Sequence, residues 1–347
     1  MSDAGESLRP VQRSATTTVL ARLADHPSVK LGPPPTAKDI PDPVARRAAL
    51  LKRRRQIEAM LYTPDGDEDT HFHWSITWLT KAAVLGLRCV GLWERGYRNR
   101  KLLHLREVEW VHPNLPKELD GLTLLHLADF HYRRKDFEFA DAVVELLDEV
   151  EVDICLMTGD YRYGHAGPSD HVGDFISRFL SRLKVAHGTY AIMGNHDTHE
   201  VISTLPNIGV KILINEGVSL NINGVPVWIA GTDDSFMMQC SDIQAACHGR
   251  GEGDFTIAML HTPDEIAQAQ AAGVHVYLCG HTHGGQIRLP FIGALVSNAH
   301  CAREYTYGPW RVGNLFGLTS PGLGTTDLPV RYNCPAEAHL ITLRCAG

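Results

Sequence analysis

The chain has 347 residues, 44% of them apolar and 21% charged. That is enough to bury one large core or two modest ones, and too apolar for a disordered or fibrous protein. The net charge of −7 is unevenly spread: residues 1–117 carry 19 Lys+Arg against 13 Asp+Glu, leaving 14 against 27 for the rest. An acidic main body argues against nucleic acid as a partner, since phosphate contacts need a basic surface, whereas the basic front end suits a different anionic partner. The eight cysteines form no C-x-x-C pair, and Cys155 and Cys279 lie in apolar runs. They are expected to be buried, reduced thiols in a cytoplasmic protein. The first residues, MSDAGESLRP, show no secretion signal, and Arg46-Arg47 and Arg53-Arg54-Arg55 lack the following apolar stretch of a twin-arginine signal.

Residues 1–40, with Pro33-Pro34-Pro35, read as a poorly ordered leader. Residues 41–100 read as a basic helical extension. Its first helix is predicted over Pro41 to Tyr62, with a cationic face of Arg46, Arg47, Lys52, Arg53, Arg54 and Arg55, closed by a turn at Pro64-Asp65-Gly66-Asp67. Trp74 to Trp93 is an apolar stretch near the ~20 residues that span a bilayer, but Lys81 and Arg88 oppose a span. Three readings stay open for it: a helix packed on the main domain, an interfacial helix on an anionic membrane surface with the arginines attracted to lipid, and, least favoured, a true span.

Residues 101–347 read as the main domain, an α/β fold. Strands are predicted at LTLLHLA (122–128), DICLMTG (153–159), GTYAIMG (188–194), Val210–Ile214, Phe255–Leu260 and His275–Cys279. Helices are predicted over Phe137–Val150, Asp170–Lys184 and Pro263–Ala272, and a hairpin around Asn223-Gly224. Strands that alternate with helices build a layered sheet that binds ligands beyond the carboxyl ends of its strands.

The chain carries 19 histidines, many of them beside Asp or Asn just after apolar runs. Five polar clusters follow predicted strands: Asp129-Phe130-His131, Gly159-Asp160, Gly194-Asn195-His196-Asp197, His261-Thr262-Pro263 and Gly280-His281-Thr282-His283-Gly284-Gly285-Gln286. Singly they are weak, because Asp caps helices and Gly turns corners. Together they place two carboxylates (Asp129, Asp160), four histidines (His131, His261, His281, His283) and one amide (Asn195) on five loops at one edge. That N/O set suits two divalent ions, manganese first, with iron, zinc or magnesium as alternatives, and not an all-oxygen calcium cage. Neutral ligands leave such a pair electrophilic towards phosphate, and paired ions ~3.5–4 Å apart activate water for in-line displacement. Among the neighbours, Arg133 and Arg134 are candidates to grip a second phosphate. Asp197 is read as a helix cap or a support for His196, Asp233-Asp234 as a turn, His71 and His73 as surface residues, and Gln286 as the start of a strand.

The motifs DFH, GD, GNHD, H-T-P and GHTHGGQ, in this order, resemble the calcineurin-like metallophosphoesterase superfamily over roughly residues 100–347. PNLPKELDGLTLLHLADFH, GHTHGGQIRLP and SPGLGTTDLPVRYNCPAEAHLITL are closest to its bacterial branch of membrane-associated phosphodiesterases, which includes one class of UDP-diacylglucosamine pyrophosphatases. The resemblance implies a four-layer α/β sandwich, two facing mixed β-sheets flanked by helices. It also implies that Asp129, His131 and His283 hold a first metal, that Asn195, His261 and His281 hold a second, and that Asp160 bridges them. His196 would contact the phosphate and assist the leaving group. Many relatives place a second Asp three residues after the bridging one, to orient the histidine of G-N-H; here that residue is Tyr163. The expected function is hydrolysis of a phosphodiester or pyrophosphate in a phosphate-containing, lipid-linked nucleotide, at the cytoplasmic face of a membrane. The alternatives are a soluble phosphatase or nucleotide phosphodiesterase, and a non-catalytic scaffold.

Overall fold

A computed structural model describes residues 31–61, 70–164 and 169–347. The leader over 1–30, the turn at 64–67 and the side chains of His71, His73 and Trp74 lie outside that description. The extension forms helices α1 (Pro43–Leu61), α2 (Thr70–Cys89) and α3 (Trp93–Asn99). Then come β1 (Leu103–His112), β2 (Thr123–Leu127), α4 (Phe137–Leu147), β3 (Glu151–Val152), β4 (Ile154–Met157) and α5 (Asp170–Leu180). Next are β5 (Lys184–Val185), β6 (Thr189–Ala191), α6 (His199–Thr204), β7 (Val210–Ile212), β8 (Glu216–Ile222) and β9 (Val225–Gly231). The chain continues through α7 (Ile243–Ala246), β10 (Phe255–Met259), α8 (Ile266–Ala271), β11 (Val276–Cys279), β12 (Arg288–Leu289) and β13 (Gly293–Ala294). It closes with β14 (Gly308–Val312), β15 (Leu315–Thr319) and β16 (Ala336–Cys345).

Two six-stranded mixed sheets face each other, ordered β1-β16-β2-β4-β6-β7 and β14-β15-β11-β10-β9-β8. In each, a run of parallel strands meets an antiparallel neighbour: β16 against β2 in the first, β14 against β15 and β8 against β9 in the second. The central strands β2, β4, β6, β10, β11 and β15 are mostly apolar and buried because both faces are covered, whereas the outer strands β1 and β8 alternate with exposed residues. In β4, Ile154 and Leu156 join the core between the sheets, while Cys155 and Met157 face the layer containing Phe139, Val143, Phe175 and Phe179 of α4 and α5. In β11, Val276 and Leu278 point inward and Tyr277 and Cys279 pack outward with Ala246 and Ala269 of α7 and α8. Four layers follow from that two-residue alternation. Asn223 and Gly224 both take positive φ (53° and 85°), as a two-residue hairpin between β8 and β9 requires. The helix predicted from Pro263 begins as a 3-10 turn capped by the Thr262 hydroxyl, and becomes α8 only at Ile266.

The cationic face expected of the first helix is only in part turned to solvent. Arg46, Arg53 and Arg54 of α1 are buried. Arg46 pairs with Asp242, and Arg47 donates to the Ile214 carbonyl (2.6 Å) and to Glu216 (2.7 Å). Leu50 and Ile57 pack against Met238 and Cys240. The reason is local complementarity: the acidic, amide-rich ends of the second sheet match α1 better than water does. These arginines are therefore not available to a lipid headgroup. Among the described residues, no helix is long and apolar enough to cross a membrane.

One cluster joining the sheets is sensitive to pH. The His112 ring lies 5.1 Å from Phe255 and 5.6 Å from His275, and Thr256 N donates to His275 Nδ1. Burial holds both imidazoles below the usual histidine range, and with His112 and Arg250 nearby His275 is pushed down to about 4. The unfolded chain takes up protons at these rings near pH ~6.5, before the folded protein does. Their contribution to stability is therefore complete above that pH and is lost as pH falls towards 4. Thermal unfolding monitored across this range is expected to show the decline, with a shallower slope for His275→Gln, which keeps an acceptor but cannot charge.

Candidate metal centre

Five loops leave the carboxyl ends of β2, β4, β6, β10 and β11, three from one sheet and two from the other, and their side chains converge. His131 Nε2 lies 2.9 Å from His283 Nε2 and 3.4 Å from Asp160 Oδ2, and His283 Nε2 lies 3.8 Å from Asp129 Oδ1. On the other side of Asp160, His261 Nε2 is 3.3 Å from Oδ2 and 3.0 Å from Asn195 Oδ1. His281 Nδ1 is 2.9 Å from the same amide oxygen and 3.3 Å from His261 Nε2. All seven residues are buried. With His196, six of them form groupings able to hold a cation: Asp129–His131–His283, His131–Asp160–His196 and Asp160–His261–His281.

The donors fit a pair of cations. Ligand atoms ~2.1 Å from an ion and at right angles to one another lie ~3.0 Å apart, close to the spacings found. Two imidazole nitrogens facing each other, as His131 Nε2 and His283 Nε2 do at 2.9 Å, need either a shared proton or a shared ion. His261 Nδ1 lies 2.8 Å from the Thr158 carbonyl, to which it donates, so loss of the Nε2 proton would leave that lone pair facing the centre. Asp129, His131 and His283 could hold one ion, Asn195, His261 and His281 the other, and Asp160 sits between them.

The backbone is shaped for this convergence. Asp129, His131, Asp160, His281 and His283 all have positive φ, between 41° and 67°. Such residues are uncommon outside glycine, cost ~1–3 kcal/mol each, and concentrate at functional sites. Loop-to-loop bonds hold them there. The His281 amide donates to both Asp129 oxygens (2.9 and 3.0 Å), and the His196 amide donates to Asp160 Oδ1 (2.9 Å). A Cβ at Gly194 would collide with the Asp160 carboxylate, and one at Gly280 with that of Asp129, so only glycine lets these carboxylates lie against neighbouring backbone.

Asp197 neither caps the following helix, whose N-cap is Thr198, nor lies free in a loop. Its carboxylate accepts the amides of Gly194 (2.8 Å), Asp160 (2.7 Å) and Tyr161 (2.9 Å), binding the G-N-H-D loop to the G-D loop. Gln286 lies in a turn, and the next strand begins at Arg288. Asp234 does form a turn, accepting the amides of Phe236, Met237 and Met238, but Asp233 is a buried partner of Arg54. Arg133 borders His131 in a small cleft and stacks 3.8 Å over the Tyr163 ring. Arg134 instead pairs with Asp170 on the surface, which withdraws it from the candidate site.

Three contributors went unread in the sequence. Arg331 is fully buried and donates to the carbonyls of Pro321 (2.7 Å), Gly322 (3.0 Å), Gly324 (2.5 Å), Cys334 (3.3 Å) and Pro335 (3.2 Å). It shapes the loop whose Leu323 and Gly324 amides bind the Ala128 and Asp129 carbonyls. Phe236 lies 4.3 Å from the His281 ring. The third is Arg54. Arginine and phenylalanine in loops or helices carry no local signal for such roles.

Charges in the metal-free centre are strongly unequal. Burial raises Asp129 to about 8, with Asp160 adding to the effect. Burial also opposes ionisation of Asp160, but His261, His196 and His131 outweigh it and hold that carboxyl well below the usual range. His261 is raised to about 10, because Asp160 and Asp129 outweigh its desolvation. Burial lowers His281 to about 4 and holds His283 well below the usual histidine range.

A family model described as calcineurin-like phosphoesterase matches residues 122–285. The chain is 28% identical over 239 residues to an uncharacterized metallophosphoesterase, YkuE, of Bacillus subtilis, covering 66% of this chain and 82% of that one. It is 30% identical over 263 residues to an uncharacterized metallophosphoesterase of Helicobacter pylori, covering 72% and 66%. It is 28% identical over 229 residues to the phosphodiesterase YaeI of Escherichia coli, covering 63% and 81%. With the facing sheets and paired ligand sets, these matches define the class as a dinuclear metallohydrolase. The chain belongs to the calcineurin-like metallophosphoesterase superfamily and is a metal-dependent phosphoesterase.

Binding of cations must displace protons from Asp129 and His261. Manganese is therefore expected to raise the unfolding temperature, with a smaller rise at pH ~6 than at pH ~8, and chelation should reverse it. Differential scanning calorimetry with and without chelator would measure this.

Proposed function

We propose that this protein hydrolyses a phosphodiester or pyrophosphate bond in a lipid-linked nucleotide at an anionic membrane surface. The observation that carries the hydrolytic reading is Asp160 Oδ2, within 3.4 Å of His131 Nε2 and 3.3 Å of His261 Nε2, one from each ligand set. Two divalent ions held there, manganese first among manganese, iron, zinc and magnesium, would supply Lewis-acid charge to the phosphorus centre and acidify a water. The chain's own groups supply the rest. Asn195 and the histidines add no negative charge, so the centre stays attractive to a phosphate anion. His196 is half-buried, with its ring 4.5 Å from that of His131, and stands at the rim of the ligand set. There it contacts a phosphate oxygen and gives a proton to the departing oxygen as the P–O bond breaks. Arg133, beside His131, adds positive charge for a second phosphate.

The lipid-facing part of the proposal rests on an apolar surface next to the metal loops. Directly after G-H-T-H-G-G-Q, the β12–β13 hairpin exposes Leu289, Phe291, Ile292, Leu295 and Val296. Leu85, Val90 and Leu92, at the end of α2 and just beyond it, are exposed too. Tyr332 links the two: its hydroxyl donates to the Leu92 carbonyl (2.7 Å), while its backbone pairs with Gln286 and Arg288. Exposed Lys81, Arg88 and Arg95 accompany the apolar residues. Apolar side chains among cations suit an anionic bilayer, into which the apolar groups insert while the cations meet headgroups.

Manganese-dependent hydrolysis of bis(p-nitrophenyl) phosphate is expected, falling at least about a hundredfold in Asp160→Asn and Asn195→Ala, beyond the usual effect of outer-shell changes. Undiminished turnover in chelated protein would end the metal-dependent reading. Flotation with phosphatidylglycerol vesicles is expected for the full chain and should weaken about tenfold in Phe291→Ser/Ile292→Ser. Equal flotation of both, or of neither, would remove the membrane from the proposal and leave a soluble substrate.

A further inference from the structure

Arg54 lies outside residues 122–285, in the N-terminal extension, yet it reaches the loop that carries His196. Arg54 of α1 is fully buried, and each guanidinium nitrogen is engaged. Nε donates to Glu58 (2.9 Å), Nη1 to Asp233, and Nη2 to two backbone carbonyls, those of Gly194 (3.0 Å) and Asp197 (2.6 Å). Those carbonyls bracket Asn195 and His196. Glu58 extends the grip: its second oxygen lies 3.1 Å from the amide of His199 and 2.8 Å from its Nδ1, at the start of α6.

The arrangement closes a double clamp. Inside the turn, the Asp197 carboxylate holds the Gly194 amide; outside it, one guanidinium nitrogen holds the carbonyls of the same two residues. A carbonyl that accepts a bond has its peptide plane fixed, so both ends of the Asn195–His196 segment are fixed in rotation. Removing a charged guanidinium from water is costly, and such a group persists where it is fully paired. Here the acidic pair Asp233 and Glu58 neutralises it, which leaves its remaining donors free to act on the loop. Where the resemblance places an orienting Asp, this chain has Tyr163, whose hydroxyl lies 3.4 Å from Asp327.

We infer that Arg54 is a positioning residue for His196: from α1 it sets the G-N-H-D turn and so aims the imidazole at the leaving oxygen. This makes the N-terminal helix part of the catalytic apparatus. The inference rests on the role given to His196 above, so its test separates the two. His196→Ala is measured first, on the full manganese-loaded chain, with bis(p-nitrophenyl) phosphate and with diphenyl phosphate, whose poorer leaving group depends more on the proton. If that variant treats both substrates as the wild type does, the role of His196 fails, whatever Arg54 does.

Given a His196 effect, Arg54→Lys keeps the charge beside Asp233 but loses the fork. It is expected to lower kcat on diphenyl phosphate about 10- to 100-fold and on the nitrophenyl ester far less, with KM unchanged. In a His196→Ala background the same substitution should have no further effect on kcat. Equal losses on both substrates, or losses that multiply with those of His196→Ala, would overturn the inference, because they describe general damage to the fold. Asp233→Asn offers a second route that leaves Arg54 in place. It should shift the leaving-group dependence in the same direction by a smaller factor, and no shift in it or in a folded Arg54→Lys protein would also overturn the proposal.

Discussion

Seven electron-rich side chains are crowded into one buried space with too few protons to go between them. His131 and His283 point ring nitrogens at each other across 2.9 Å, and His261 and His281 do so across 3.3 Å, with a carboxylate oxygen of Asp160 between the two pairs. Left alone, such an arrangement repels itself, and the centre responds by keeping a proton on Asp129 and on His261 at neutral pH. In the two-ion reading proposed above, cations would take the place of those protons. The left-handed backbone at five ligand positions, the glycines pressed against carboxylates and the fully buried Arg331 behind Asp129 are all means of holding this unfavourable geometry in advance.

The preorganisation comes from both ends of the chain. The loop carrying Arg331 lies after β15, and Arg54 lies before β1, so each side of the ligand cluster is held by a segment beyond residues 122–285. Both arginines act on carbonyl oxygens. A guanidinium suits this work because it remains charged when buried and presents several donors in one rigid plane.

The core of the domain was legible because its chemistry is periodic or punctuated. Strands buried on both faces appear as short apolar runs such as Ile154–Met157 and Val276–Cys279, and each ends at the glycine or acidic residue that begins a ligand loop. The less legible elements rely on partners distant in sequence. Strands β1 and β16 pair in parallel across more than two hundred residues, and half of β1 is solvent-facing, so alternation in Leu103–His112 was their only local trace. The six cations of α1 look alike in sequence. Only the tertiary position of Asp233 and Asp242 distinguishes the buried Arg46 and Arg54 from the exposed Lys52 and Arg55. Of the two readings open for Asp197, the helix cap is the one its bonds do not follow: its three amide donors come from two loops and brace the turn that carries His196.

Strand β16 lies between β1 and β2 in the first sheet, although residues 336–345 are the last of its strands to be synthesised. While the chain is still growing, β2, which leads into Asp129, has an empty slot on one side, with hydrogen-bonding groups exposed along its edge. The completed sheet therefore has this late segment at an interior position and not at a margin. Protein lacking residues 336–345 would have an open slot beside β2, next to the loop that carries Asp129, so closure of the first sheet depends on that strand.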